Sequence, residues 1–261
     1  MKRYWRIYRS FVSSSLTREL EYRGNFIAKI LQNLIWVFFF VLIVGVIYRN
    51  TDNVAGWKKE DMLLLTGACF LVTAIIEGFA MSLMEVPGNV RDGTLDLIVT
   101  RPVDSQFWVS SRRFNFDRLG VLAVALGMVI YYGSTRNPAP DLVQWVAFAV
   151  LTLCAIALYY SLNLFFMTLG IYWVKVDNLW VLGETTMQVS RYPIDIYGVA
   201  ARRFFFFYLP LAFFASAPVS QIRGEVAWTT VAGGVAWAAF GLTASRMFWR
   251  HAMRSYSSAS S

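Results

Sequence analysis

The sequence predicts an all-α, polytopic membrane protein with six transmembrane helices and both termini in the cytoplasm. Of its 261 residues, 57% are hydrophobic and 15% are charged, whereas an average soluble domain carries about 25% charged residues. Several nearly uncharged runs reach the roughly 20 residues that cross a bilayer as a helix. Lys and Arg are concentrated in alternate connections between these runs, and this distribution sets the orientation of membrane helices.

Residues 1–25 precede the first apolar run and predict an amphipathic helix in the membrane interface. In a helical projection, Trp5, Tyr8 and Phe11 fall on an apolar face, and Arg6 lies on the opposite, basic face. Insertion of the apolar face and attraction to anionic lipid would hold such a helix on the bilayer. The alternative is a short helix packed on the protein's own cytoplasmic surface.

Six apolar stretches are predicted to span the membrane. They lie at residues 26–48, 62–86, 118–132, 142–174, 204–222 and 226–248. The fourth is long enough to tilt or to protrude beyond the lipid. The fifth contains Pro210 and Pro218 and is predicted to be a kinked span. Residues 249–261 are predicted to be a cytoplasmic tail with a disordered, serine-rich end.

The orientation follows from the positions of the basic residues. An N terminus inside places residues 1–25, 87–118, 175–203 and 246–261 in the cytoplasm with 18 Lys and Arg, against 5 in the outer loops. This asymmetry explains the net charge of +8 through membrane topology, so no nucleic-acid partner is expected. The expected location is the plasma membrane, the inner membrane of a bacterium.

The sequence contains few residues that could perform chemistry. It has no phosphate-binding loop, no H-E-x-x-H, no G-x-S-x-G and no C-x-x-C motif. Its single histidine, His251, and its two cysteines in apolar runs do not suggest a metal site or a catalytic triad. We therefore expect a chain that is no enzyme and binds no metal or cofactor itself.

Glu77 is the one ionisable residue well inside a predicted span. A carboxylate near the bilayer centre costs about 2.5–3.5 kcal/mol on insertion scales, so it should face protein or water. One interpretation places it on a cargo path or at a dimer interface. The other pairs it with a Ser, Thr or Asn of a neighbouring helix, or hydrates it near the headgroups.

Residues 87–117 form a polar connection between the second and third predicted spans. Gly93 permits a sharp turn, Thr94 or Asp92 can cap a short helix after it, and Pro102 can stop that helix. The connection is predicted to be cytoplasmic.

The segment Gly93-Thr94-Leu95-Asp96-Leu97-Ile98-Val99-Thr100-Arg101-Pro102 resembles the cytoplasmic loop of the ABC-2 type permeases. These permeases are the membrane subunits of ATP-binding-cassette exporters. The sequence Leu-Glu-Tyr-Arg-Gly-Asn-Phe at 20–26 is also similar to the start of that family, and so is the six-span plan. The Tyr-Pro element in 191–197 is similar to one in the short permeases that have no fused ATPase.

The resemblance implies a half-transporter with a type V exporter-like permease fold. Two permeases, identical or related, would surround a central path for a hydrophobic or amphipathic molecule, most simply for its export. Two separate ATPase subunits would hold ATP and Mg²⁺ and dock below. The alternatives are a membrane scaffold or assembly protein that transports nothing, and a secondary transporter driven by a gradient.

The resemblance also implies which residues meet the ATPase. Leu95, Leu97 and Ile98 would form an apolar knob for a groove on that subunit, with charged side chains around it. The implied coupling residues are Arg91, Gly93, Thr94, Leu95, Asp96, Leu97, Ile98, Arg101 and Pro102. The N-terminal interfacial helix would be the second contact.

Overall fold

A computed structural model describes residues 2–173 and 179–256, without the side chains of Trp180 and Phe207. These residues form twelve α-helices and three short 3-10 helices, with no strand. The α-helices are α1 (Lys2–Glu21), α2 (Arg23–Ile47), α3 (Lys59–Phe79), α4 (Val86–Arg91), α5 (Asp96–Val99), α6 (Ser105–Ser111), α7 (Arg118–Ser134), α8 (Leu142–Tyr172), α9 (Leu179–Ser190), α10 (Val199–Phe207), α11 (Ser216–Arg223) and α12 (Trp228–Ser255).

Three of these helices, α2, α3 and α8, are long and apolar enough to cross a membrane, and α7 is a shorter apolar helix. Helices α2, α7 and α8 begin and end within three residues of the first, third and fourth predicted spans. Residue 174, the last of the fourth predicted span, lies outside the described residues. An all-helical membrane protein is therefore what the structure supports.

The second predicted span, 62–86, is too long at its C-terminal end. Helix α3 stops at Phe79, because Ala80 leaves helical geometry with φ −125° and ψ 16°. A 3-10 helix (Met81–Glu85) follows, and α4 begins at Val86. Pro87 lies in the first turn of α4, where a missing backbone N–H breaks no helical hydrogen bond.

The fifth predicted span, 204–222, is wrong as a single kinked helix. The end of α10, a 3-10 helix (Leu211–Phe214) and α11 divide it. Pro210 breaks the helix because proline lacks an N–H donor and disfavours helical geometry at the preceding residue. Pro218 lies in the first turn of α11, where proline is tolerated.

The predicted tail, 249–261, is also corrected. Helix α12 continues to Ser255, because Trp249 and Ala252 extend its buried face. The serine-rich end, 257–261, lies outside the described residues.

The apolar side chains pack in two clusters. The first is built on the pair α8 and α12, and the second on the pair α3 and α7. Gly234 allows the closest approach in the first cluster: a Cβ there would collide with Leu151 and lie 3.2 Å from Cδ1 of Phe213. The core thus depends on a residue without a side chain at this crossing.

Polar contacts define two ends of the helical bundle. At one end, which we call the Trp57 end, Tyr48 Oη donates to the Trp57 carbonyl at 2.7 Å, and Asp61 pairs with Arg136 and Arg223. At the other end, the Asp104 end, the carboxylate of Asp104 pairs with Arg246. Trp249 Nε1 also donates to Ser105 Oγ there, at 3.1 Å.

Residues 175–203 were predicted to lie on the opposite side of the membrane from residues 49–61, and the structure corrects this for the part from 191 onward, which lies at the Trp57 end. Trp57 Nε1 donates to Asp195 Oδ2 at 2.9 Å, and Arg202 Nη1 lies 3.0 Å from Asp195 Oδ1. Helix α8 ends near the Asp104 end, where Tyr172 stacks on Phe248. Helix α9 therefore carries the chain between the two ends, which the segment 204–222 had been expected to do.

The chain from α10 to α11 forms a hairpin that starts and finishes at the Trp57 end. It starts at Asp195 and finishes at Arg223, whose Nη2 donates to the Gly56 carbonyl at 2.6 Å. Its middle lies deep in the bundle, because Phe214 packs against Tyr159 in the middle of α8. A hairpin of this kind cannot be recognised from the apolar run alone.

Candidate functional site

Helix α1 packs one part of its aromatic face on the chain that follows α5. Tyr4 meets Phe107 at 4.9 Å between ring centroids, and Phe11 meets Trp108 at 4.8 Å, both edge to face. Ser15 Oγ accepts a hydrogen bond from the Phe114 N–H at 3.1 Å. Phe11 therefore contacts protein, as in the alternative interpretation of this helix.

Other residues of α1 remain on its outer surface. Trp5 is 68% exposed and stacks with Tyr8, and Arg6 is exposed. These residues are available to lipid headgroups, so contact of α1 with the membrane stays a prediction for them.

The turn after α4 has the geometry that its glycine allows. Gly93 adopts φ +68°, a left-handed conformation in which a side chain is strained. Neither predicted cap acts on α5: Thr94 Oγ1 donates to Asn89 Oδ1 at 3.0 Å, and Asp92 contacts Arg91. The reason is that Leu95, at the N-cap position, has helical φ and ψ, whereas a capping residue needs a non-helical backbone.

The structure corrects the composition of the apolar knob. Leu95 is 0% exposed and Ile98 is 4% exposed, and both belong to the first core cluster. Residues three apart lie on the same face of a helix, so this pair anchors α5 to the bundle. Leu97, at 64% exposed, and Val99, at 45%, face outward instead. They are the apolar residues of this segment that a partner can reach.

Arg101 is fixed by the residues around it. Its Nε donates to the Leu97 carbonyl at 3.1 Å, and its guanidinium lies 4.1 Å above the ring of Trp108. Pro102 follows the end of α5 and is exposed. Arg101 is therefore held directly beside Leu97.

A polar clamp joins this region to α12. Arg246 Nη1 donates to Asp104 Oδ1 at 2.9 Å and to Gln106 Oε1 at 2.6 Å, and its Nη2 contacts Asp104 Oδ2. Asp104 also accepts from the Phe107 N–H at 3.0 Å and so caps α6. The hydrogen bond from Arg246 holds the pKa of Asp104 below its ordinary value. Sequence reasoning missed this clamp, because its partners are 142 residues apart.

Glu77 lies near the C-terminal end of α3 and pairs with an arginine. Its Oε2 is 2.8 Å from Nη1 of Arg118, the first residue of α7. The neighbouring Asp117 is 5% exposed and accepts a hydrogen bond from Asn33 Nδ2 at 2.8 Å. The partner of Glu77 is thus a cation, which corrects the interpretation that paired it with Ser, Thr or Asn; its place on a cargo path or at a dimer interface stays a prediction.

Two adjoining cavities meet at this ion pair. Glu77, Arg118 and Glu184 line both cavities. The first measures about 360 Å³ and also reaches Tyr159. The second measures about 400 Å³ and extends to Arg191. The arrangement places two acids and two arginines on the walls of one interhelical space.

Glu184 and Arg191 are functional candidates that sequence reasoning missed. The sequence signal for them was their seven-residue spacing, which would bring both to one side if the helix continued; in the structure Glu184 lies on α9, and Arg191 lies in the turn directly after it. Because residues 175–203 were assigned to the cytoplasm, this spacing did not suggest two charges inside the bundle. The guanidinium of Arg191 lies 4.5 Å above the ring of Phe40 and 5.5 Å above that of Phe70.

Comparison with known proteins identifies the class of this chain. The model of the family described as ABC-2 family transporter protein matches residues 34–260, so the chain belongs to this family, and the predicted relationship to ABC-2 type permeases is confirmed. It is a transmembrane component of an ABC transporter, of the kind that associates with an ABC ATPase subunit. No curated protein and no solved structure matches the chain.

Proposed function

We propose that this chain is one of two permease subunits, identical or related, of an exporter in the inner membrane of a bacterium. The Asp104 end faces the cytoplasm with both termini, and the Trp57 end faces outward. Five helices cross the bilayer: α2, α3, α7, α8 and α12. The sixth crossing is made by α9, whose 12 residues cover about 18 Å, together with the chain that follows it to Asp195. The hairpin from α10 to α11 enters the membrane from outside and returns.

The distribution of basic residues supports this orientation. The stretches at the Asp104 end (2–25, 87–118 and 246–256) carry fourteen Lys and Arg, and those at the Trp57 end (49–61, 134–141 and 191–225) carry eight. With α10 on the outer side, the difference in Lys and Arg between the two sides is smaller than the predicted 18 against 5, but the inner side still carries more. Positive charge on the inner side is the usual arrangement.

The single observation that carries the coupling role is the outward position of Leu97 and Val99 on a buried base. Leu95 and Ile98 fix α5 to the core, so a force on Leu97 moves the bundle and not a loose loop. The transporter has two ATPase subunits, each holding ATP and Mg²⁺, and one of them docks on this surface of each permease. The clamp between Asp104 and Arg246 passes the movement to α12.

The exported molecule is hydrophobic or amphipathic. Helix α2 supports this, because its outer face presents apolar side chains such as Ile35, 65% exposed, and Phe38, 60% exposed. Such a face can contact lipid, the second permease or an apolar part of the exported molecule.

The proposal is tested by purifying the chain together with its ATPase. The double variant Leu97→Asp with Val99→Asp places two charges on the docking surface, and we expect it to lose the ATPase during purification. Ile196→Asp is the matched control, because Ile196 is also exposed, at 44%, but lies near Asp195 at the other end.

Two results would contradict the proposal. A double variant that keeps the ATPase as firmly as the wild type would remove α5 as the docking surface. If the wild-type chain bound no ATPase during purification, the proposal of an ATP-driven exporter would be refuted.

A further inference from the structure

Two charged residues of the interhelical space, Glu184 and Arg191, share its walls with the ion pair of Glu77 and Arg118 but form no direct ion pair themselves among the described residues. Glu77 pairs with Arg118, and Asp195 pairs with Arg202. Neither Glu184 nor Arg191 forms an ion pair or a side-chain hydrogen bond within residues 2–173 and 179–256. Both are half-buried and line the cavity of about 400 Å³. An unpaired charge in such a place is costly unless a ligand or water neutralises it.

The spacing of the two charges fits one ligand that carries both signs. Glu184 lies on α9, and Arg191 is the first residue after this helix, where its N–H donates to the Gln188 carbonyl at 3.2 Å; seven residues at helical rise correspond to about 10 Å. Both side chains are long enough to reach into the gap between them. A group with an anion and a cation a few ångströms apart can therefore contact both at once.

The surroundings of Arg191 favour a phosphate as the anion. Its guanidinium lies over Phe40 and Phe70, and its N–H groups donate to no side chain within the described residues. A planar fork of donors matches phosphate oxygens in a bidentate manner. Gln32 and Asn33 on α2 line the same cavity and supply further polar groups.

The cavity opens toward an apolar surface. Ile35 and Trp36 form its border on α2 and are 65% and 52% exposed. A ligand whose polar group occupies the cavity can thus lay an apolar tail along α2. Only an amphipathic ligand uses both regions.

We propose that this cavity binds the headgroup of a zwitterionic phospholipid, with the phosphate on Arg191 and the ammonium group on Glu184. The acyl chains lie along the exposed face of α2. This inference rests on the proposed export function, for which it defines the substrate class as a zwitterionic amphiphile.

The test compares three short-chain amphiphiles with equal tails: a phosphatidylethanolamine, a phosphatidic acid and an alkylammonium. Their affinities for the full chain in detergent are measured by native mass spectrometry, without an ATPase. The wild type should bind the phosphatidylethanolamine about tenfold more tightly than the phosphatidic acid, which lacks the ammonium group, or the alkylammonium, which lacks the phosphate, since each lost charge-assisted contact is worth about a factor of ten or more.

Two variants assign the charges. Glu184→Gln should remove the preference over phosphatidic acid, and Arg191→Gln should remove the preference over the alkylammonium. Arg203→Gln is the control, because Arg203 is an exposed arginine of α10 outside this cavity. It should leave all three affinities unchanged.

Equal affinity of the wild-type chain for the three amphiphiles would overturn the inference. That comparison needs no substitution, so a variant that fails to fold cannot hide the result. If the chain showed a headgroup preference but bound no ATPase, the exporter role would be refuted and the lipid site would stand. If it bound the ATPase but showed no headgroup preference, the lipid site would be refuted and the exporter role would stand.

Discussion

The replacement of Leu95 by alanine tests how α5 is held. Leu95 is 0% exposed and belongs to the same core cluster as Val90, Ile98 and Val109. Its backbone N–H donates to the Asn89 carbonyl at 3.0 Å, which limits how far the chain can collapse into a cavity. Deleting a buried leucine side chain typically costs about 2–5 kcal/mol. We expect Leu95→Ala to lower the free energy of unfolding by this amount.

Leu97→Ala is the matched comparison, two residues away. Leu97 is 64% exposed, and surface substitutions of this kind usually change the free energy of unfolding by less than about 0.5 kcal/mol. Leu97→Ala should instead weaken binding of the ATPase. The two free energies are measured by reversible unfolding of the full chain in mixed micelles, with binding measured separately on the folded protein.

The order of the two effects decides the question. If Leu97→Ala destabilised the chain as much as Leu95→Ala, or more, then Leu95 would not be the buried anchor of α5. The assignment of Leu97 as the exposed docking residue would then fail as well.

Three further predictions concern other contacts. Gly93→Ala should lower the free energy of unfolding by about 1–2 kcal/mol, because φ is +68° at this residue. Gly88→Ala in α4 is the control, since Gly88 has open space around it, and it should be neutral or slightly stabilising in the same unfolding assay. The lowered pKa of Asp104 means that its ion pair stabilises the fold above the ordinary value of 3.8 and is lost as the pH falls through the folded pKa. The stability difference between the wild type and Asp104→Asn should therefore be constant from neutral pH down to about 5, and vanish in more acidic solution; a difference that grows on acidification would contradict this. Glu77→Arg and Arg118→Glu should each reduce the yield of monodisperse protein in size-exclusion chromatography, because each breaks an ion pair of 2.8 Å. The double exchange should restore the yield. If the double variant showed no recovery, the pair would not act as a unit.

The apolar runs predicted much of the fold because a bilayer imposes length and composition on a helix. The positions of α2, α7 and α8 follow from these two quantities. The fifth run failed because an apolar stretch of the right length can also form a hairpin within a bundle. Contacts of Asp195 and Arg223 with the Trp57 end reveal the hairpin, and no local pattern encodes them.

The candidate site was predicted only in part. The turn at Gly93 and the charge at Glu77 stand out in the sequence, because a glycine among polar residues and an acid among apolar ones are local signals. The partner of Glu77, and the unpaired charges of Glu184 and Arg191, depend on which helices are neighbours.

By itself, the sequence determined that this protein is an all-helical membrane protein with a loop typical of ABC-2 permeases, because these properties depend on composition and on short motifs. The tertiary structure alone decided which side of each helix is buried. It turned Leu95 and Ile98 inward, left Leu97 outside, and placed Glu184 and Arg191 on one cavity. The physical reason is that burial and pairing arise between residues far apart in the chain, and periodicity alone cannot specify which apolar face meets which neighbour.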